Sequence, residues 1–259
     1  MKRILTVALM LMSVSVFAKA PAKTDQKNKN NKPKDVELVF ILDRSGSMGG
    51  LESDTIGGYN SMLSKQKKEK TGKVSVTTVL FDDQYELLYN QVPIEKVSPM
   101  TEEVSPSIWG WLPLALTEEE YYVRGSTALL DAIGKTVMQV KANQDKKEIK
   151  DKVLFVIITD GMENASREYR ADQIKKLIEE RKEKDNWEFL FLGANIDAIG
   201  AAKDIGIDSS RAVRFKSDKK GTAKNYEVLN EAIKEIRGGY QLNDSWKNGI
   251  EEDVKNRGE

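Results

Sequence analysis

The run Val36 to Leu42 (VELVFIL) constrains the fold more than any other feature of this chain. Seven residues with one interior acid are too few for a buried helix and lack the alternation of a half-exposed strand, so they predict a strand covered on both faces. Covering both faces takes helices above and below a sheet, and the rest of the sequence supplies them. Ile56, Tyr59, Met62 and Leu63 are spaced for a helix over Ile56 to Lys70, and Val74 to Phe81 reads as a second strand. Asp82-Asp83-Gln84 turns the chain into a strand over Tyr85 to Asn90, and so short a link allows only an antiparallel hairpin. Beyond it, helices are expected over Ala128 to Asn143, Ala171 to Lys184, Ala198 to Ile205 and Ala223 to Ile236. They alternate with strands over Val153 to Thr159, Trp187 to Leu192 and Ala212 to Phe215. This order predicts an α/β fold: a Rossmann-like, doubly wound, mostly parallel sheet with one antiparallel edge strand.

A chain of 259 residues suffices for one such domain with a sizeable core. Its 41 Lys and Arg balance 41 Asp and Glu, which leaves no net field to gather nucleic acid, so a charged partner must be recognised locally. The absence of Cys and His removes thiol nucleophiles, disulfides, Cys/His zinc sites, imidazole bases and every His-containing triad. At the start, Lys2 and Arg3 precede an apolar run from Ile4 to Phe17 that ends in Val16-Phe17-Ala18, the pattern of a secretory signal peptide over residues 1–18. A run of that length falls short of the roughly 20 residues that span a bilayer. Residues 19–34 are mostly Lys, Asn, Gln, Pro and Ala around one acid, Asp25, and are expected as a disordered linker. The domain is then 35–237, and 238–259, with its isolated Trp246, is a C-terminal tail, either frayed or a short docking helix. A secreted or periplasmic location follows from the signal.

Ligands of such folds sit outside the carboxyl ends of the strands, where loops converge. Two strand ends there carry oxygen donors: Leu42 runs into Asp43-Arg44-Ser45-Gly46-Ser47, and Thr159 into Asp160-Gly161. A third loop, Arg124-Gly125-Ser126-Thr127, opens the helix at Ala128. Alternate positions in Asp43-x-Ser45-x-Ser47 can aim a carboxylate and two hydroxyls at one point, with Gly46 allowing a tight turn. Thr127 adds a third hydroxyl and Asp160 a second carboxylate. Such an all-oxygen set suits a hard divalent cation, Mg²⁺ first and Mn²⁺ or Ca²⁺ next, with a position left for a Glu or Asp of a protein partner.

These residues resemble the von Willebrand factor type A (vWA) family and its metal-ion-dependent adhesion site. That site is written D-x-S-x-S, a distant T and a distant D, matched here by Asp43, Ser45, Ser47, Thr127 and Asp160. The surrounding text, VFILDRSGSM, RGSTALLDAIG and VIITDGMENAS, looks like secreted bacterial members, and the resemblance covers Asp35 to Arg237. It implies divalent-metal-mediated protein binding without catalysis.

Other readings of the same residues are weaker. An EF-hand loop needs Gly and Glu where Met48 and Asp54 stand. Gly134-Lys135-Thr136 imitates a phosphate-binding loop, but Leu129 replaces its first Gly. No Gly-x-Ser-x-Gly elbow occurs, and Asn164-Ala165-Ser166 fits a glycosylation acceptor by a pattern common by chance. The chief alternative is a Mg²⁺-dependent phosphoryl-transfer or hydrolytic enzyme using Asp43 or Asp160, with Glu163 as a further acid or base. A purely structural alternative has the aspartates capping helices and the hydroxyls satisfying loop amides. Ahead of the Thr127 loop, Ile108 to Leu116 is strongly apolar and holds Trp109 and Trp111. It reads either as a contact loop beside the metal, suited to a protein or a membrane surface, or as a short helix packed on the sheet.

Overall fold

The computed structural model describes residues 32–96, 116–194 and 196–258. The expected signal peptide, residues 19–31 of the expected linker, and Trp109 and Trp111 lie outside these residues. Along the described chain the elements are β1 (Val36–Asp43), α1 (Glu52–Lys68), β2 (Val74–Phe81), β3 (Tyr85–Pro93), α2 (Leu129–Gln144) and β4 (Lys152–Thr159). There follow α3 (Ala171–Asp185), β5 (Glu188–Ala194), α4 (Ala198–Asp204), β6 (Ala212–Phe215), α5 (Lys219–Arg237) and α6 (Asn248–Arg257). The strands form one sheet in the order β3-β2-β1-β4-β5-β6. Every pairing is parallel except β2 with β3, so the hairpin supplies one antiparallel edge. This is the doubly wound α/β architecture that the alternation predicts.

All eight residues of β1 are buried, because β2 and β4 flank it and helices cover both faces. Its side chains alternate between two cores, as the two-residue repeat of a strand requires. Leu38, Phe40 and Leu42 join Tyr59, Met62 and Leu63 of α1 and Leu229 and Ile233 of α5. Val39 and Ile41 join Ile133 and Val137 of α2 and Ile174 and Ile178 of α3. The Tyr59 ring meets Phe40 edge-on, with centroids 5.3 Å apart and planes at 81°.

Helix starts depart from the apolar spacing where polar residues do the work. α1 begins at Glu52, four residues before Ile56, with Glu52 and Asp54 in its first turn and three lysines in its last, as the helix dipole favours. α5 begins at Lys219 because the Asp218 side chain caps it, accepting from the Gly221 amide at 2.8 Å. Beyond Arg237 the chain forms a 3₁₀ turn, Asp244–Lys247, and then α6. Trp246 and Ile250 are buried in the core shared with α5, and the Trp246 indole donates to Ser210 O at 2.8 Å. Residues 238–258 are therefore continuous with the fold, anchored by one aromatic that reads as isolated in the sequence.

Candidate metal centre

β1 and β4 lie side by side, so their carboxyl ends deliver Asp43 and Asp160 to the same edge of the sheet. Asp43 is 1 % exposed. Its Oδ1 accepts from the Ser45 amide at 2.7 Å and its Oδ2 from the Thr159 hydroxyl at 2.5 Å. A short 3₁₀ turn, Gly46–Met48, then sets the Ser45 and Ser47 Oγ atoms 3.1 Å apart. Ser47 Oγ donates to Asp160 Oδ1 at 2.6 Å, and Thr127 Oγ1 donates to Ser45 Oγ at 3.1 Å. The structure thus brings together all five side chains that the sequence singles out. Gly46 acts by close approach, its amide donating to Gly125 O at 3.1 Å. Gly161 keeps the centre open: a Cβ there would lie 2.7 Å from Thr127 Oγ1 and 3.2 Å from Ser47 Oγ.

Burial raises the Asp43 carboxyl to about 6, against the bonds from Thr159 and Ser45, and the Asp160 charge adds to the rise. Burial also raises Asp160, opposed by the bond from Ser47. Among the described residues no Lys or Arg pairs with either carboxylate; Arg44, between Asp43 and Ser45, pairs instead with Asp82 and Glu86. No group of three or more His, Cys, Asp or Glu stands ready for a metal among the described residues. The donors here are two carboxylates and three hydroxyls, hard oxygens whose combined charge of two matches a divalent cation.

No family model matches the chain, and no curated protein matches it. Solved structures do. Proximal thread matrix protein 1 (PTMP1) from the mussel byssus matches over 78% of this chain and 47% of its own, at 14% identity and a TM-score of 0.51. The structure of that protein with a zinc-occupied MIDAS motif, the metal-ion-dependent adhesion site, matches over 77% and 46%, at 14% identity and a TM-score of 0.50. The chain has the von Willebrand factor type A fold. A vWA structure from Catenulispora acidiphila also matches, over 77% of this chain and 42% of its own, at 12% identity and a TM-score of 0.46. The chain spans less than half the length of each of these structures.

Several residues support the centre of this vWA fold in roles that the sequence does not assign them. Thr159 holds the second oxygen of Asp43. The signal for it is a hydroxyl at the last position of an otherwise apolar strand. Tyr121 is buried and donates its hydroxyl to Asp43 O at 2.5 Å. Asn164 Oδ1 accepts from the Thr127 amide at 2.9 Å, so this side chain of the Asn-Ala-Ser motif orients Thr127. Glu163 caps the start of α2. Its Oε2 accepts from the Leu130 amide at 2.9 Å, and its Oε1 from the Ala165 and Ser166 amides at 3.0 and 2.8 Å.

Proposed function

We propose that the chain is a vWA-family protein-binding domain of the adhesion type. In this reading Asp43, Ser45, Ser47, Thr127 and Asp160 hold a divalent ion, directly or through water. The observation that carries it is the convergence of two buried carboxylates and three hydroxyls on one point with, among the described residues, no basic side chain paired to either acid. A divalent ion bound there would supply a positive centre that accepts a carboxylate oxygen from a partner's Glu or Asp. Asp43 and Asp160 offset the charge of the ion, and the hydroxyls add oxygens without adding charge. Mg²⁺ fits such a set best, with Mn²⁺ and Ca²⁺ next. The zinc-occupied motif of the PTMP1 structure supports a divalent ion. Binding is favoured over turnover because Glu163, the remaining acid of the loop, spends both oxygens on backbone amides. With residues 1–18 read as a signal peptide, the domain works outside the cytoplasm, secreted or periplasmic.

Calorimetric titration with MgCl₂, MnCl₂ and CaCl₂ tests the reading. Wild type should bind at least one ion, and Asp43→Ala should bind none. A wild-type protein that takes up none of the three would end it. Release of a phosphate ester in the presence of Mg²⁺, abolished by Asp43→Ala, would replace it with the enzymatic alternative.

A further inference from the structure

Asp82, the residue after β2, belongs to the turn of the hairpin in the sequence, yet its side chain is fully buried. Its Oδ2 accepts from Arg44 Nε at 3.2 Å and from Arg124 Nε at 2.6 Å, and its Oδ1 accepts from the Gln84 amide at 2.6 Å. Arg44 lies between Asp43 and Ser45 in one donor loop, and Arg124 lies three residues before Thr127 in another. One buried carboxylate therefore ties together the two loops that carry all three hydroxyls of the centre.

The backbone repeats the tie. Arg124 N donates to Arg44 O at 2.9 Å, and Ala128 N, next to Thr127, donates to Asp82 O at 2.8 Å. The Tyr122 ring lies within cation–π reach of both guanidiniums, 5.3 Å from that of Arg44 and 5.2 Å from that of Arg124. Arg44 Nη1 further donates to Glu120 O at 3.0 Å, which draws the segment ahead of Thr127 onto the same post. Gly125 turns the Arg124 loop at a φ of +64°, and a Cβ there would collide with the Asp83 carboxylate. The contact between Ser45 Oγ and Thr127 Oγ1 spans these two loops, so its length depends on their separation.

We propose that Asp82 is a positioning residue of the metal centre. Through Arg44 and Arg124 it holds the Thr127 loop against the Ser45–Ser47 loop, so that the hydroxyls of both address one ion. The inference rests on the metal-binding reading above. Outer groups that orient metal ligands typically govern affinity by about 10- to 100-fold when removed.

The test is Mn²⁺ titration of the full chain by calorimetry, with thermal melts in EDTA run beside it. Arg124→Gln removes the half-exposed strap and should leave the fold intact while weakening Mn²⁺ binding by about 10-fold or more. Asp82→Asn should weaken it at least as much. It also leaves buried Arg44 with only the partly exposed Glu86 as counter-charge, so a lower melting temperature is expected, and if it fails to fold, Arg124→Gln decides alone. A merely structural role would move the melts and not the coupling to Thr127. In a Thr127→Val background, Arg124→Gln should cost less than about 3-fold further, because the group it positions is gone. Unchanged Mn²⁺ affinity in folded Arg124→Gln, or full additivity with Thr127→Val, overturns the proposal while metal binding by wild type stands. Wild type that binds no Mn²⁺ overturns both.

Discussion

Asp43 carries the largest electrostatic strain of the centre. Its carboxyl is buried and raised to about 6, whereas an unfolded chain would titrate it near 3.8. Between those values the folded metal-free protein holds a proton that the unfolded chain has lost, so this group's contribution to stability falls as pH rises from about 4 to 6. A rise of that size is worth about 3 kcal/mol by pH 7. Exposed acids such as Asp145, Asp172 and Glu180 shift the other way under Lys141, Arg170 and Lys184, so the informative quantity is the difference between wild type and Asp43→Asn. In EDTA, urea unfolding should show the Asn variant gaining on wild type by about 2 kcal/mol between pH 4 and pH 7.5. A difference that stays flat across this range would show that Asp43 is not buried as an acid. Saturating Mg²⁺ should reverse the order at pH 7.5, because only wild type has a charge to offer the ion.

At the scale of elements, the end opposite the metal centre is held by Arg237, the last residue of α5. It is buried, and its guanidinium donates to Gln66 O at 2.6 Å, Gln66 Oε1 at 2.9 Å, Thr71 O at 2.8 Å, Glu69 O at 2.9 Å and Gly72 O at 3.2 Å. The backbone carbonyls among them lie at the open end of α1 and in the turn into β2, where intrahelical donors run out. The planar fork of Arg meets several at once, which an ammonium cannot do. Arg237→Met should cost at least about 3 kcal/mol in urea unfolding, since several buried acceptors lose their donor together. Arg237→Lys should restore less than half of that. Mg²⁺ affinity should not change in either folded variant, because the strands separate this cap from the carboxyl edge. A loss below about 1 kcal/mol for Arg237→Met would mean that water replaces the guanidinium there.

Across the whole molecule, the donors come from three loops that meet only when β1 and β4 are paired and α2 is seated behind them. The unfolded chain has no such site, so ion binding adds its free energy to folding. At 100 times the dissociation constant this is about 2.7 kcal/mol, or a rise in melting temperature of about 5 to 10 °C for a domain of this size. Melts across a Mg²⁺ series should show that rise in wild type and none in Asp43→Ala. An equal rise in both would place the ion elsewhere.

The sequence by itself determined the parts that depend on chain neighbours. The apolar run of β1, the helical spacing after it and the three-residue hairpin turn define a parallel sheet with one antiparallel edge. Strand-end chemistry marks Asp43, Ser45, Ser47, Thr127 and Asp160, because ligand groups of such sheets sit where strands stop. Only the tertiary structure decided which oxygen meets which. Ser47 reaches Asp160 across 113 positions, Thr159 takes the second oxygen of Asp43, and Asp82 joins two loops through two arginines. It also decided that the residues after Arg237 close the core with Trp246 and Ile250. The physical reason is that periodicity reports which face of an element is apolar, whereas the partner of a buried polar atom is set by strand register and loop packing between segments far apart along the chain.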